Sequence, residues 1–143
     1  MSGGFPEGTL ARTALGQLMA TEKTLDGSTL GRPLLELVRL HVSQSNGCAY
    51  CIAMHRAALA ETGETAERMA DLPDWENSSL FTPRERAALL WAETLTALPD
   101  DASLPAPVTA AFDADEQGEL ALAISMINMW NRLMTGWDMA PAG

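Results

Sequence analysis

Gly and Pro fall along this chain at intervals that suit helices and little else. Between them Ala, Leu, Met and Glu dominate and no run of β-branched residues occurs, a pattern that favours helix over strand. The expected fold class is therefore all-α. Thr9 to Lys23 reads as a first helix ended by Asp26-Gly27, and Pro33 suits the first turn of a second running from Leu34 to Ser45. That second helix is apolar on several sides (Leu34, Leu35, Leu37, Val38, Leu40, Val42), so it is expected to be buried. Asn46-Gly47 is a good stop, after which Cys48 opens a third helix reaching Thr62, with Gly63 beyond it. A short helix from Glu64 to about Leu72 precedes a turn-rich stretch, Pro73 to Ser79. Thr82-Pro83-Arg84-Glu85 has capping-box spacing with Pro at the first helical position, and starts a helix to about Ala97. Pro99 to Pro107 reads as a loop, Val108 to Phe112 as a helical turn or two, and Glu116 to Trp137 as a long last helix. The tail after Asp138 is expected to be loose. No repeat, low-complexity tract or linker interrupts the chain, so residues 1–143 are expected to form one helical domain.

Composition excludes several functions. With 47% apolar and 20% charged residues in 143, the chain has the make-up of a globular domain large enough to bury a core. Its 19 acidic and 9 basic residues give a formal charge of −10 without any Lys/Arg cluster, so nucleic acid and anionic membranes are not expected partners. Met1 to Leu10 lacks the basic and apolar regions of a signal peptide, and the longest apolar stretch, Leu120 to Trp130, contains Asn128 and is too short to span a bilayer. A cytoplasmic protein is expected, in which two cysteines spaced CxxC form a reversible redox pair rather than a structural disulfide.

The chemistry concentrates in Cys48-Ala49-Tyr50-Cys51 followed by His55, with Glu36 twelve residues before the first cysteine. These are the only two cysteines and one of only two histidines. On a helix, positions i, i+3 and i+7 share a face, so both thiols and the imidazole line one stripe. At a helix N-terminus the macrodipole and free N–H groups favour a thiolate. His55, one turn after Cys51, is placed to take the thiol proton or stabilise the thiolate. Glu36 lies on the preceding, mostly buried helix, where an apolar setting is expected to raise its pKa and suit it to proton donation or relay. A thiolate that attacks a peroxide becomes a sulfenic acid, which a second thiol converts to a disulfide.

Each feature has a plainer reading. CxxC with His55 and Glu36 supplies the four ligands of a closed zinc site, Glu36 can simply pair with Arg39 on its own helix, and His41 has no cysteine in helical register and reads as structural. Met126, Met129, Trp130, Met134 and Trp137 sit at helical spacing and read as core or subunit interface.

The stretch from Leu34 to Leu40, then Ser43-Gln44-Ser45-Asn46-Gly47-Cys48-Ala49-Tyr50-Cys51-Ile52-Ala53-Met54-His55, resembles the AhpD-like alkylhydroperoxidases of the carboxymuconolactone decarboxylase superfamily. The similarity continues through Gly63-Glu64-Thr65, Leu72-Pro73-Asp74-Trp75, Phe81 to Leu89 and Ile127 to Arg132. The resemblance implies an all-α, AhpD-like domain with the CxxC at a helix N-terminus. It implies peroxide reduction, with Cys51 as the peroxide-reacting thiol, Cys48 as its disulfide partner, and Glu36 and His55 as the proton relay. It further implies no metal, haem or flavin cofactor, a hydroperoxide substrate, and a dithiol or dihydrolipoyl-type electron donor. Single-unit relatives assemble, so a homohexamer built as a trimer of dimers is expected. Tyr50 stands where some relatives carry a second relay histidine, and Ala53 where an acidic residue is frequent, which makes this relay shorter and less charged. The alternatives are a dithiol–disulfide oxidoreductase or redox sensor, a decarboxylase or lactone-processing enzyme, and a non-enzymatic scaffold.

Overall fold

Helix α2 (Arg32–Asn46) is the centre of the molecule, with every residue from Leu34 to Ser43 buried. A helix apolar on all sides must be wrapped by others, and the remaining elements do so. In the computed structural model, which describes residues 3–141, these are α1 (Thr9–Leu25), α3 (Ala49–Glu61), α4 (Ala66–Asp71), a 3-10 turn (Leu72–Asn77), α5 (Pro83–Ala97), α6 (Ala106–Ala111) and α7 (Ala114–Gly136). Among the described residues all regular structure is helical. Met1 and Ser2 of the N-terminal stretch, and Ala142 and Gly143 of the tail, lie outside them.

Two apolar clusters hold α2. On one side Leu35, Val38 and Val42 pack with Ala88, Trp91 and Ala92 of α5 and Leu120, Ile124 and Ile127 of α7. On the other, Leu37 and Leu40 meet Leu59 of α3, Leu72 and Trp75 of the 3-10 turn, and Leu89 of α5. Burying one such side chain contributes roughly 1.5–3 kcal/mol, so α2 is the least replaceable element. By contrast, α1 buries only Leu25 and is otherwise a half-exposed cover.

Local signals set most boundaries. At α5, Glu85 N–H donates to Thr82 Oγ1 at 3.1 Å and Thr82 N–H donates to Glu85 Oε1 at 2.8 Å, closing the expected capping box. A second box, Asp113 with Glu116, starts α7 at Ala114, two residues before the expected Glu116. Pro107 in the first turn likewise starts α6 at Ala106, inside the expected loop. The turn-rich stretch after Leu72 is a 3-10 helix because Arg86 donates to the carbonyls of Trp75 (2.9 Å), Glu76 (3.1 Å) and Ser78 (3.1 Å). The tail is not loose as far as Met139. Met139 N–H donates to Met134 O at 2.9 Å, and its side chain packs on the cluster of Cys48, Cys51 and Met134. Among the described residues no helix is long and apolar enough to cross a membrane.

Candidate redox site

The cysteines are delivered by the turn between α2 and α3. Gly47 adopts φ 70°, ψ 28°, a left-handed conformation that glycine accepts without strain. It lets Cys48 N–H donate to Ser43 O (3.1 Å) and Gly47 N–H to Gln44 O (3.2 Å), the paired bonds of a Schellman motif. The chain then turns straight into α3, with Cys48 as N-cap and its Sγ accepting from Cys51 N–H at 3.3 Å. A polar bracket from α7 fixes this corner. Asn46 Nδ2 donates to Asn131 Oδ1 and Asn128 Oδ1, each at 2.9 Å, and Asn131 Nδ2 donates to Ser43 Oγ at 3.0 Å.

The expected grouping of Cys48, Cys51, His55 and Glu36 is present in space. Cys48 and Cys51 are disulfide-bonded with Cα atoms 5.3 Å apart, inside the ordinary range for a disulfide. Cys48 is 4% exposed and Cys51 0%. Cys51, not Cys48, forms part of the wall of a cavity of about 340 Å³, together with His55 one turn further along α3. The other walls include Leu15, Met19, Glu22 and Lys23 of α1, Tyr50 and Met54 of α3, and Trp130 and Met134 of α7. Cys51 Sγ also lies 4.0 Å from the Trp130 carbonyl oxygen.

His55 is held from behind. Its Nδ1 is 2.7 Å from Glu36 Oε2. Its Nε2 is buried without a protein partner, on a side chain that lines the cavity. With a carboxylate on one ring nitrogen, Nδ1 carries a proton, and in the neutral ring Nε2 is the nitrogen left as acceptor. Burial is the largest single influence on Glu36 and pushes its carboxyl up, but the hydrogen bond and charge of His55, with those of Arg39, outweigh it, so the carboxyl sits below its ordinary value. This corrects the expectation of a raised pKa. Glu36 thus stands as a carboxylate hydrogen-bonded to His55 Nδ1.

Sequence reasoning missed what lies beneath Glu36. Arg39, 2% exposed, donates from Nη1 to Glu36 Oε1 and to Asp26 Oδ1, each at 2.9 Å. Its Nη2 stands 2.7 Å from Glu22 Oε1, an ion-pair contact outside hydrogen-bond angles. Glu22 Oε2 in turn accepts from Trp130 Nε1 at 3.0 Å. The i, i+3 pair of Glu36 and Arg39 was visible in the sequence, whereas Asp26 and Glu22, 13 and 17 positions before Arg39, carried no periodic signal. His41 lies elsewhere, its Nε2 2.8 Å from Glu93 Oε1, which also accepts from Trp75 Nε1. Of the last-helix residues read as core or interface, Trp130 and Met134 line the cavity, while Trp137 packs beside the cysteines. Among the described residues no group of three or more His, Cys, Asp or Glu is arranged to hold a metal.

Comparison with known proteins places this geometry. Residues 10–94 match the carboxymuconolactone decarboxylase family. The chain is 36% identical over 119 residues to the uncharacterized protein YdfG of Bacillus subtilis (strain 168), covering 81% of each. It is 29% identical over 118 residues to the uncharacterized protein YnjA of Escherichia coli (strain K12), covering 81% of this chain and 65% of YnjA. Among solved structures it is similar to ATU0492 of Agrobacterium tumefaciens, a protein of unknown function provisionally assigned to antioxidant defence as AhpD. That match has a TM-score of 0.84 and 29% identity, and covers 94% of this chain and 97% of the other. An uncharacterized peroxidase-related protein from Silicibacter sp. TM1040 shares the fold, with a TM-score of 0.78 at 23% identity over 90% of this chain and 70% of that one. The chain belongs to the carboxymuconolactone decarboxylase family and has the AhpD-like helical fold.

Proposed function

We propose that this protein is a thiol-dependent hydroperoxide reductase, an enzyme in which Cys51 attacks the peroxide and Cys48 closes the disulfide. The observation that carries this reading is the shared wall. Cys51 and His55 border one cavity, and Glu36 anchors the far nitrogen of the imidazole. His55 Nε2 takes the Cys51 proton. The thiolate then attacks the distal peroxide oxygen, the O–O bond breaks, and the proton held by His55 goes to the departing alkoxide, leaving an alcohol and Cys51 sulfenic acid. Cys48 attacks the sulfenic sulfur, hydroxide leaves as water, and the disulfide forms.

A dithiol donor reverses the last change by attacking Cys51 from the cavity and expelling Cys48 as thiolate. The Cys51 N–H that points at Cys48 Sγ supports that sulfur as the leaving group. The sum is hydroperoxide plus dithiol giving alcohol, water and disulfide. The donor is of the dihydrolipoyl or small-dithiol class, because a buried sulfur reached through a cavity suits a slender reductant. The same enclosure argues against a protein disulfide as the natural oxidant. We place the enzyme in the cytoplasm, where the pair is kept cycling. We assign it as a homohexamer, a trimer of dimers, in which other copies cover exposed Leu10, Met19 and Met54.

The test is hydroperoxide consumption by pre-reduced protein with excess dithiol. Turnover in wild type that is lost in both Cys51→Ser and Cys48→Ser supports the reading. Titratable thiols without turnover, together with fast disulfide exchange, would replace it with dithiol oxidoreductase or sensor chemistry.

A further inference from the structure

We propose that Arg39 is a positioning residue for the site, acting through Glu36, and that its guanidinium fork makes helix α1 part of the same device; the inference rests on the peroxidase reading for its meaning but not for its test. Arg39 is among the most buried side chains of the molecule, and it is charged. Burying a cation is expensive unless partners surround it, and here three carboxylates do. Nη1 is divided between Glu36 and Asp26, and Nη2 faces Glu22.

The geometry sorts the oxygens of Glu36. Arg39 occupies Oε1, which leaves Oε2 for His55 Nδ1. A carboxylate clamped on one oxygen can neither rotate nor take up a proton easily, so it keeps accepting from Nδ1 and keeps Nε2 free as the base. The charges around Glu36 come from His55 on α3, Arg39 on its own helix, and, across Arg39, Glu22 on α1 and Asp26 just beyond its end. Lys23 of α1 borders the cavity alongside them. From α7, Trp130 adds an N–H to Glu22.

These contacts also explain how a helix that buries only Leu25 is held over the cavity. Glu22 ties α1 to Arg39 of α2 and to Trp130 of α7, while Leu15 and Met19 of the same helix form the cavity wall. Seating of the wall and orientation of the base therefore depend on one guanidinium. Lysine is no equivalent, since a single ammonium does not span Glu36, Asp26 and Glu22 in fixed directions.

The test reads thiol reactivity rather than turnover. In a Cys48→Ser background, which leaves Cys51 as the only thiol, alkylation by iodoacetamide is followed from about pH 5 to about pH 9, a range spanning ordinary imidazole and thiol titration. Arg39→Gln is expected to slow alkylation near neutrality about tenfold, the size of a one-unit displacement of the profile. In a Glu36→Gln background the same change is expected to leave the position of the pH profile where it is, so that loosening of α1 shows only as a uniform change of rate at every pH. Arg39→Lys is expected to give an intermediate displacement, also erased by Glu36→Gln, and carries the test if Arg39→Gln does not give a helical, cooperatively unfolding protein. An unchanged profile in the folded variants overturns the proposal. So does a displacement of full size in the Glu36→Gln background, which would mean a direct field of Arg39 on the thiol. Absent peroxide turnover in wild type with the Arg39 effect intact would instead count against the peroxidase reading alone.

Discussion

Replacing Gly47 with alanine asks whether the turn that delivers the cysteines is governed by backbone conformation alone. At φ 70°, ψ 28°, a side chain meets left-handed strain of about 1–2 kcal/mol. A Cβ built there finds nothing within 4 Å, so no steric term is added. Restricting the unfolded chain returns about 0.4–1 kcal/mol, leaving a net loss of about 1 kcal/mol. Gly118 is the control. It lies inside α7, is not at positive φ, and its Cβ would also meet nothing within 4 Å. Gly118→Ala should therefore stabilise by about 0.5–1 kcal/mol. For 143 residues the unfolding entropy is roughly 0.3 kcal/mol/K. The two alanine variants should thus move Tm by roughly 2–3 °C in opposite directions. Urea unfolding of the oxidised protein, with m-values checked for constancy, measures both. Gly47→Ala as stable as wild type, or a loss beyond about 3 kcal/mol, would refute the reasoning, because simple left-handed strain produces neither.

Other variants probe the packing and the charges. Leu59→Ala, at a fully buried position between α2 and the 3-10 turn, should cost about 2–5 kcal/mol in urea unfolding. Asn131→Ala removes the bracket to Ser43 and Asn46 and should cost about 1–3 kcal/mol by the same measurement. Glu36 has a lowered folded pKa, so its carboxylate stabilises the fold above the unfolded value of about 4.3, and that contribution disappears as pH falls through the folded value. Glu36→Gln should accordingly flatten the acid limb of stability, read as urea midpoints between about pH 7 and about pH 3.

How far the chain could be read in advance depended on the range of the interaction. Thr82-Pro83-Arg84-Glu85 and Asn46-Gly47 act within one turn, and both end or start a helix where their chemistry requires. Asp113 and Glu116 carried the same capping signal, and α7 begins with them. The 3-10 helix was hidden because its carbonyls are satisfied by Arg86, about ten residues downstream. Met139 was hidden because its contacts lie in the cysteine cluster rather than along the chain. At the site, helical spacing brought Cys51 and His55 together, and the i, i+3 spacing paired Glu36 with Arg39. The charge state of Glu36 was misjudged for a physical reason. An apolar helix suggested desolvation, which is indeed the largest influence, but the hydrogen bond and charge of His55, followed by those of the buried Arg39, outweigh it. That balance belongs to the tertiary fold and has no signature in local spacing.

The central claim, peroxide reduction by the Cys51–Cys48 pair, is tested most directly in a single turnover. Pre-reduced protein, freed of small thiols, is mixed with an excess of organic hydroperoxide, and alcohol and remaining thiols are counted together. The account predicts one alcohol formed and both thiols lost per chain, with no alcohol from Cys51→Ser. Thiols that persist while the hydroperoxide is untouched, or alcohol formed equally by Cys51→Ser, would contradict it.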